Sequence, residues 1–380
     1  MSFIDMELSR SLLNILEAQN YTEPYPIQKE AIPAIIDKRD VLGIAKTGSG
    51  KTASYVLPLL MNLQKSIVSK NRHVTALVLV PTRELAVQVN DVFKLFAGTG
   101  LQKVKSLAVF GGASINTQMQ ALQNVSILVA TPGRLLELVE VNAVHLSEVE
   151  TLVLDEADKI LNAGFSKEVN RIFELLPEKR QNLLFSATLN DDINNINQLL
   201  LHDPLVIKIE VQDDDIDLIN QTAYLVSNEK KGPLLRYLIK EKGMSQVLIF
   251  TSSVARADRV ADKLRKSGID AKSIHRKKKQ GARTDLLTKF KHDKLRILVA
   301  TDLLSRGIDI EFLPYVINYE LPRSPKVFIH RIGRTGRAES TGEAISLISP
   351  EEEHHFKVIE KKLKKRIPKI DSNDLDLSGF

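Results

Sequence analysis

The chain has 380 residues, 43% hydrophobic and 26% charged, the proportions of a soluble globular protein, and its length argues for two domains rather than one. It has no cysteine, which excludes disulfides and thiolate metal sites, and no apolar run approaches the roughly 18 residues that a membrane span requires. The net charge of +6 is uneven: residues 1–210 hold 20 Lys and Arg against 23 Asp and Glu, and residues 211–380 hold 33 against 24. Such asymmetry fits a polyanion partner for the second half or a solvated lysine-rich face, and charge alone does not choose between them.

The first residues, Met1-Ser2-Phe3-Ile4-Asp5, lack the basic and apolar regions of a secretion signal, which points to the cytoplasm. The short apolar run Val41–Ile44 then leads into Ala45-Lys46-Thr47-Gly48-Ser49-Gly50-Lys51-Thr52 and a helix-like segment. This is a phosphate-binding loop with Ala45 where the general pattern has its first Gly. Gly48 and Gly50 let backbone N–H groups converge on phosphate oxygens. Lys51 is expected to reach the β and γ phosphates, and Thr52 to ligate Mg²⁺.

Further apolar runs follow at Ala76–Val80, Ile127–Ala130, Leu152–Leu154 and Leu183–Phe185. Each passes into polar residues at its carboxyl end, where open α/β sheets bind ligands. The run Leu152-Val153-Leu154 delivers Asp155-Glu156. Asp155 is expected to hold Mg²⁺, directly or through water, and Glu156 to orient and deprotonate the attacking water.

The polar break Gln212-Asp213-Asp214-Asp215 reads as a linker. Beyond it, apolar runs recur at Val247–Phe250, Ile297–Ala300 and Val316–Ile317. Continuous apolar strands alternating with amphipathic stretches mean parallel sheets covered on both faces, an α/β class. Ile-Leu-Val-Ala-Thr occurs at 127–131 and again at 297–301, and Leu77–Val80 matches Val247–Phe250 at the same offset. Two matches in one register predict an internal duplication. The expected division is 1–208, a linker at 209–220, 221–366, and a loose tail at 367–380.

At this point Asp155-Glu156-Ala157-Asp158 spells the name of a family, and its other signatures follow in order. They include Pro81-Thr82-Arg83-Glu84-Leu85-Ala86, Gly111-Gly112, Thr131-Pro132-Gly133-Arg134, Ser186-Ala187-Thr188, Arg306-Gly307-Ile308-Asp309 and His330-Arg331-Ile332-Gly333-Arg334-Thr335-Gly336-Arg337. The chain resembles DEAD-box RNA helicases from Phe3 to about residue 365, most nearly bacterial members of the RhlE type. Singly, Gly-Gly or Ser-Ala-Thr is uninformative; in this order the set is specific.

The resemblance implies two RecA-like domains, each a mostly parallel sheet with helices on both faces, that clamp one RNA strand when ATP and Mg²⁺ are bound. It implies that Gln28 reads the adenine edge while Tyr21 stacks on its face, that Thr47, Ser49 and the rest of the loop hold the phosphates, and that Asp309 meets the ribose. Arg334 and Arg337 act as arginine fingers. Asp158, Ser186 and Thr188 couple hydrolysis to the second domain. Arg83, Gly112, Thr131, Gly133 and Arg134, with Thr251, Ser252, Thr301 and Gly307, hold the RNA backbone, and Gln280 and Arg283 are weaker candidates. This equipment reads phosphate and 2′-hydroxyls rather than base edges.

The implied activity is RNA-stimulated ATP hydrolysis driving local duplex separation or remodelling of RNA–protein complexes. An ATP-gated clamp with little turnover is the alternative, and a DNA translocase a third. Expected partners are RNA and RNA-processing or ribosome-assembly proteins, with no membrane and a monomeric chain. One departure stands out: His275 is followed by Arg276 where the family has Gly, within the run Arg276-Lys277-Lys278-Lys279.

Overall fold

Alternation along the central strands shows how the apolar runs become sheets. In β2 (Ala76–Leu79), Ala76 and Val78 point into one buried cluster, and Leu77 and Leu79 into another. In β9 (Val247–Thr251), Val247 and Ile249 likewise face one cluster, and Leu248 and Phe250 the opposite one. A strand with no polar face must be covered on both sides. Removing a side chain such as Leu77 from such a site costs about 2–5 kcal/mol.

The computed structural model describes residues 2–45, 48–64, 71–98, 104–162, 165–188, 200–209, 219–302, 313–336 and 342–380. The chain forms two compact units, Met1–Val211 and Gln212–Phe380. In the first, β1 (Val41–Ile44), β2, β3 (Ser106–Val109), β4 (Ile127–Ala130), β5 (Thr151–Leu154), β6 (Gln181–Ser186) and β7 (Leu205–Lys208) form one sheet. In the second, β8 (Ile219–Leu225), β9, β10 (Ala271–Ile274), β11 (Ile297–Thr301), β12 (Tyr315–Asn318), β13 (Gly342–Ile348) and β14 (Lys369–Asp371) form another. The orders are β3-β4-β2-β5-β6-β1-β7 and β10-β11-β9-β12-β13-β8-β14. Adding seven to each strand of the first gives the second, so the duplication extends to the whole topology. All described pairings are parallel, from β1 with β6 to β14 with β8.

The same correspondence corrects one expectation. Residues 367–380 are not a loose tail: Lys369–Asp371 pair with Ala223–Leu225 and take the place that β7 holds in the first unit. Ser372 is buried, Leu375 and Leu377 pack on the core, and Phe380 meets the Tyr237 ring edge-on at 5.3 Å.

The helices that matter for the site follow strands directly. They are α1 (Lys51–Gln64) after β1, α2 (Arg83–Ala97) after β2, α3 (Pro132–Glu140) after β4 and α4 (Ala157–Asn162) after β5. Thr82 caps α2 by accepting from Leu85 N–H at 3.2 Å, a contact worth about 1 kcal/mol. Pro132 begins α3, where its missing N–H removes no helical bond. In the second unit α5 (Val254–Lys266) is capped by Ser253, whose Oγ accepts from Arg256 N–H at 3.2 Å. No helix among the described residues is long and apolar enough to cross a membrane.

Candidate nucleotide and RNA site

Every strand-end signature of the first unit lies at the carboxyl edge of its sheet, as the parallel topology requires. The phosphate loop joins β1 to α1, and its Gly48 and Gly50 have φ of 78° and 84°, in the region open to glycine. A Cβ on Gly50 would lie 2.5 Å from Gln28 Nε2 and 2.8 Å from the Tyr25 ring. Gln28 is fully buried; its Oε1 accepts from Tyr25 N–H at 2.9 Å and its Nε2 donates to Gly50 C=O at 3.1 Å. The amide is thereby fixed to the loop with one N–H and one lone pair remaining, the complement of an adenine edge. Tyr21 rests edge-on against Phe96, 5.5 Å between centroids. Ser49 is buried.

Lys51 is buried, and its Nζ donates to Ala45 C=O at 2.5 Å. Burial lowers the Lys51 pKa, while Asp155 and Glu156 oppose the shift. Asp155 is itself held at both oxygens: Oδ1 accepts from Glu156 N–H at 2.8 Å and Oδ2 from the Tyr55 hydroxyl at 2.8 Å. Burial, and then the neighbouring Glu156 charge, raise the Asp155 pKa. Burial raises the pKa of the Tyr55 phenol and the Thr52 side chain acts to lower it, so one tyrosine stands near both expected metal ligands.

Glu156 takes a left-handed backbone, φ 51°, a conformation that costs a non-glycine residue about 1 kcal/mol or more. Its Oε1 pairs with Lys159, while Oε2 is buried without a hydrogen-bond partner. Asp158 Oδ1 accepts from Ser186 Oγ at 3.0 Å, and Asp158 Oδ2 lies 3.5 Å from Thr188 Oγ1. The Ser-Ala-Thr signature and the last acid of the tetrapeptide are thus one connected group.

Arg83 and Gly112 also meet. A Cβ on Gly112, whose φ is +79°, would lie 2.2 Å from Arg83 Nη1, so the glycine makes room for the guanidinium. Thr131 caps α3. A Cβ on Gly133 would meet nothing within 4 Å, so its bareness serves no contact inside the unit. Arg134 turns inward: Nε bonds Glu137 at 2.7 Å and Nη2 donates to Ala113 C=O at 3.0 Å.

In the second unit Thr251 and Thr301 end adjacent strands, β9 and β11, and both are buried. Ser252 is exposed, and its N–H and hydroxyl both donate to Glu320 Oε2, at 2.8 and 2.7 Å. Gln280 Oε1 is buried without a partner, and Arg283 is buried. Arg334 is buried, and its carbonyl accepts from Leu313 N–H at 3.0 Å. Thr47, Gly307, Asp309 and Arg337 lie outside the described residues.

Three residues were missed by sequence reasoning. Tyr55 reads as core in any helical pattern. Glu320, which also holds Arg256 Nε at 3.1 Å, belongs to no signature. Arg331 lies inside a recognised signature but is fully buried over the Phe250 ring, 5.0 Å from its centroid. It donates to Asp302 at 2.5 Å, Asn318 at 3.0 Å and the Glu320 carbonyl at 2.7 Å, so it joins the ends of β11 and β12.

A phosphate loop, an acidic strand end and a matching second sheet define a two-unit nucleoside-triphosphatase architecture. The chain matches the DEAD/DEAH box helicase model over residues 25–196 and the helicase conserved C-terminal domain over residues 229–339. It is 37% identical over 376 residues to the DEAD-box ATP-dependent RNA helicase CshA of Bacillus cereus, covering 99% of this chain and 70% of that protein. To CshA of Geobacillus kaustophilus it is 35% identical over 376 residues, with 99% and 79% covered. Among solved structures it is similar to S. cerevisiae Dbp5 bound to RNA and ADP BeF3, with a TM-score of 0.84, 27% identity, and 98% and 96% of the two chains covered. It is also similar to a DEAD box protein from Methanococcus jannaschii, with a TM-score of 0.55, 37% identity, and 97% and 99% covered. The chain belongs to the DEAD-box helicase family.

Proposed function

We infer that this chain is an ATP-dependent RNA helicase that couples ATP hydrolysis to local, sequence-independent separation of RNA strands or remodelling of RNA–protein complexes. The observation that carries the reading is the acidic end of β5. Asp155 is fixed at both oxygens, Glu156 beside it keeps a buried, unpartnered Oε2, and Lys51 lies close enough for both charges to act on it. That layout supports hydrolysis over mere holding of a nucleotide. We assign nucleotide recognition and hydrolysis to the first unit, Met1–Val211, and the arginine fingers Arg334 and Arg337 to the second, Gln212–Phe380.

The donor set suits Mg²⁺. Thr52 and Asp155 offer hard oxygens, and Mg²⁺ is commonly held by one or two protein oxygens plus phosphates and water. A bound Mg²⁺ supplies charge neutralisation at the β and γ phosphates. Lys51 binds those phosphates, Asp155 orients the ion, and Glu156 Oε2 accepts the proton of the attacking water.

For RNA, the support is the bare surface at Gly133 and the Arg83–Gly112 contact, which offer close backbone approach and a cation for phosphate. RhlE-like character, a monomeric state, cytoplasmic location, and RNA-processing or ribosome-assembly partners belong to the same proposal. The alternative of a clamp with little turnover is disfavoured by the intact Glu156, Arg334 and Arg337. Comparing ATP hydrolysis with RNA, with DNA and with neither decides among the readings. Strong stimulation by RNA alone is expected; slow, unstimulated hydrolysis with tight RNA retention means a clamp, and equal stimulation by DNA overturns the RNA assignment.

A further inference from the structure

The second unit carries a lysine-rich depression of about 350 Å³, lined by Lys357, Glu360, Lys361, Lys364, Lys365 and Arg366. It lies at the end of α6 (Glu353–Leu363). Lys357, Lys361 and Lys364 recur at i, i+4 and i+7, the spacing of one helical face. Lys364 caps the helix in a left-handed conformation, φ 53°, and so turns Lys365 and Arg366 back beside that face. Residues 357–369 hold seven cations and one carboxylate. That carboxylate is already used, since Glu360 accepts from Ile367 N–H at 3.0 Å and from Lys369 Nζ at 2.9 Å. Among the described residues Lys357, Lys361, Lys364 and Arg366 have no acidic partner. Elsewhere in the unit exposed cations are often paired, as Lys242 with Glu343 and Lys289 with Asp285.

Topology separates this depression from the RNA site already described. Strands β13 and β14 are both parallel to β8, so α6, which connects them, must run back from the carboxyl edge of the sheet. Its lysine-rich end therefore points away from the edge that bears Thr251, Ser252 and Thr301. Lys357 to Lys364 spans about 10 Å of helix, long enough to face several successive backbone phosphates.

We propose that this depression is a second RNA contact, which holds the phosphate backbone of strand or duplex lying beyond the stretch gripped at the carboxyl edge of this unit's sheet. The inference rests on the reading of the chain as an RNA helicase. Four unpaired cations around a depression lined by no aromatic side chain take phosphates without reading bases. Such a contact tethers a long substrate while the carboxyl-edge site releases and regrips it.

The test uses the full chain with Lys357→Ala, Lys361→Ala, Lys364→Ala and Arg366→Ala combined. Binding is measured over a range of salt to a short oligouridine just filling the carboxyl-edge site and to the same oligomer extended by a duplex. The expected result is about tenfold weaker binding of the extended RNA at low salt, with the slope against log salt reduced by about 0.7–0.9 for each phosphate no longer neutralised. Short-oligomer binding and the ATP hydrolysis it stimulates stay unchanged. Unchanged binding of the extended RNA overturns the proposal, and so does equal weakening of both RNAs, which would place these residues in the carboxyl-edge site. If the fourfold variant melts early, Lys361→Gln with Lys364→Gln asks the same question at smaller amplitude. Failure of the unaltered chain to respond to the short oligomer at all would instead sink the helicase reading.

Discussion

The phenol of Tyr55 donates to Asp155 Oδ2 at 2.8 Å while the Glu156 N–H holds Oδ1 at the same distance. Tyr55 is fixed in turn by the tilted rings of Phe185 and Phe93, at 5.3 and 6.4 Å. Phe185 fits only because Gly43 lacks a Cβ, which would lie 2.6 Å from its ring. A run of packing contacts from β1 thus aims the carboxylate expected to orient Mg²⁺.

Tyr55→Phe removes the hydroxyl and keeps the ring, so the fold should survive. Burial, followed by the Asp155 charge, raises the Tyr55 pKa well above its ordinary value, which keeps the phenol a donor at neutral pH. Losing a hydrogen bond to a charged group costs about 1.5–3 kcal/mol. The Mg²⁺ concentration needed for half-maximal nucleotide binding should therefore rise on the order of tenfold. An unchanged Mg²⁺ requirement would make Tyr55 a core residue only.

Lys51→Ala should abolish turnover and weaken nucleotide binding at least tenfold, the loss of a charge-assisted interaction of about 1.5–3 kcal/mol. Nucleotide titration of the folded variant checks this; near-normal affinity would remove Lys51 from the site.

Much of this was legible in the sequence because the family signatures are strand ends, and strand ends are where a parallel sheet places chemistry. The fold class followed from apolar runs such as Ile127–Ala130 and Ile297–Ala300, whose lengths and lack of a polar face admit little else. Strand β14 was illegible for the opposite reason. Lys369-Ile370-Asp371 has one apolar residue, is exposed along its length, and becomes a strand only because β8 offers an open edge. Tyr55 and Glu320 escaped notice because their roles depend on partners 100 and 68 residues away, which no local pattern encodes.

Glu156→Gln keeps the shape of the side chain and loses the base. ATP and RNA should still bind, hydrolysis should slow by at least about a hundredfold, as expected for loss of a general base, and the RNA complex should persist. Dissociation of labelled RNA with ATP present is the measurement, and rapid release would contradict the assigned role.

Gly112→Ala should act through Arg83. The new methyl would meet the guanidinium at 2.2 Å on a backbone with φ +79°, adding about 1–2 kcal/mol of strain and displacing Arg83. Nucleotide affinity without RNA should stay normal while RNA-stimulated hydrolysis falls. Normal stimulation in this variant would remove Arg83 from the RNA contacts.

Arg276 is exposed in the turn between β10 and the helix Gln280–Lys291, and its φ is not positive. The backbone there is ordinary, so the arginine carries no left-handed strain. Arg276→Gly then adds only unfolded-state entropy and should cost about 0.4–1 kcal/mol of stability, a small fall in melting temperature. Its effect on RNA follows from position: the turn leaves the carboxyl end of β10, next to β11 and its Thr301, and Lys277 and Lys279 are exposed beside it. If Arg276 touches phosphate, the variant binds RNA more weakly at low salt and its slope against log salt falls by about 0.7. Melting curves and RNA titrations at two salt concentrations read both effects. A higher melting temperature would contradict the ordinary backbone, and an unchanged slope would leave Arg276 a surface residue without a part in RNA binding.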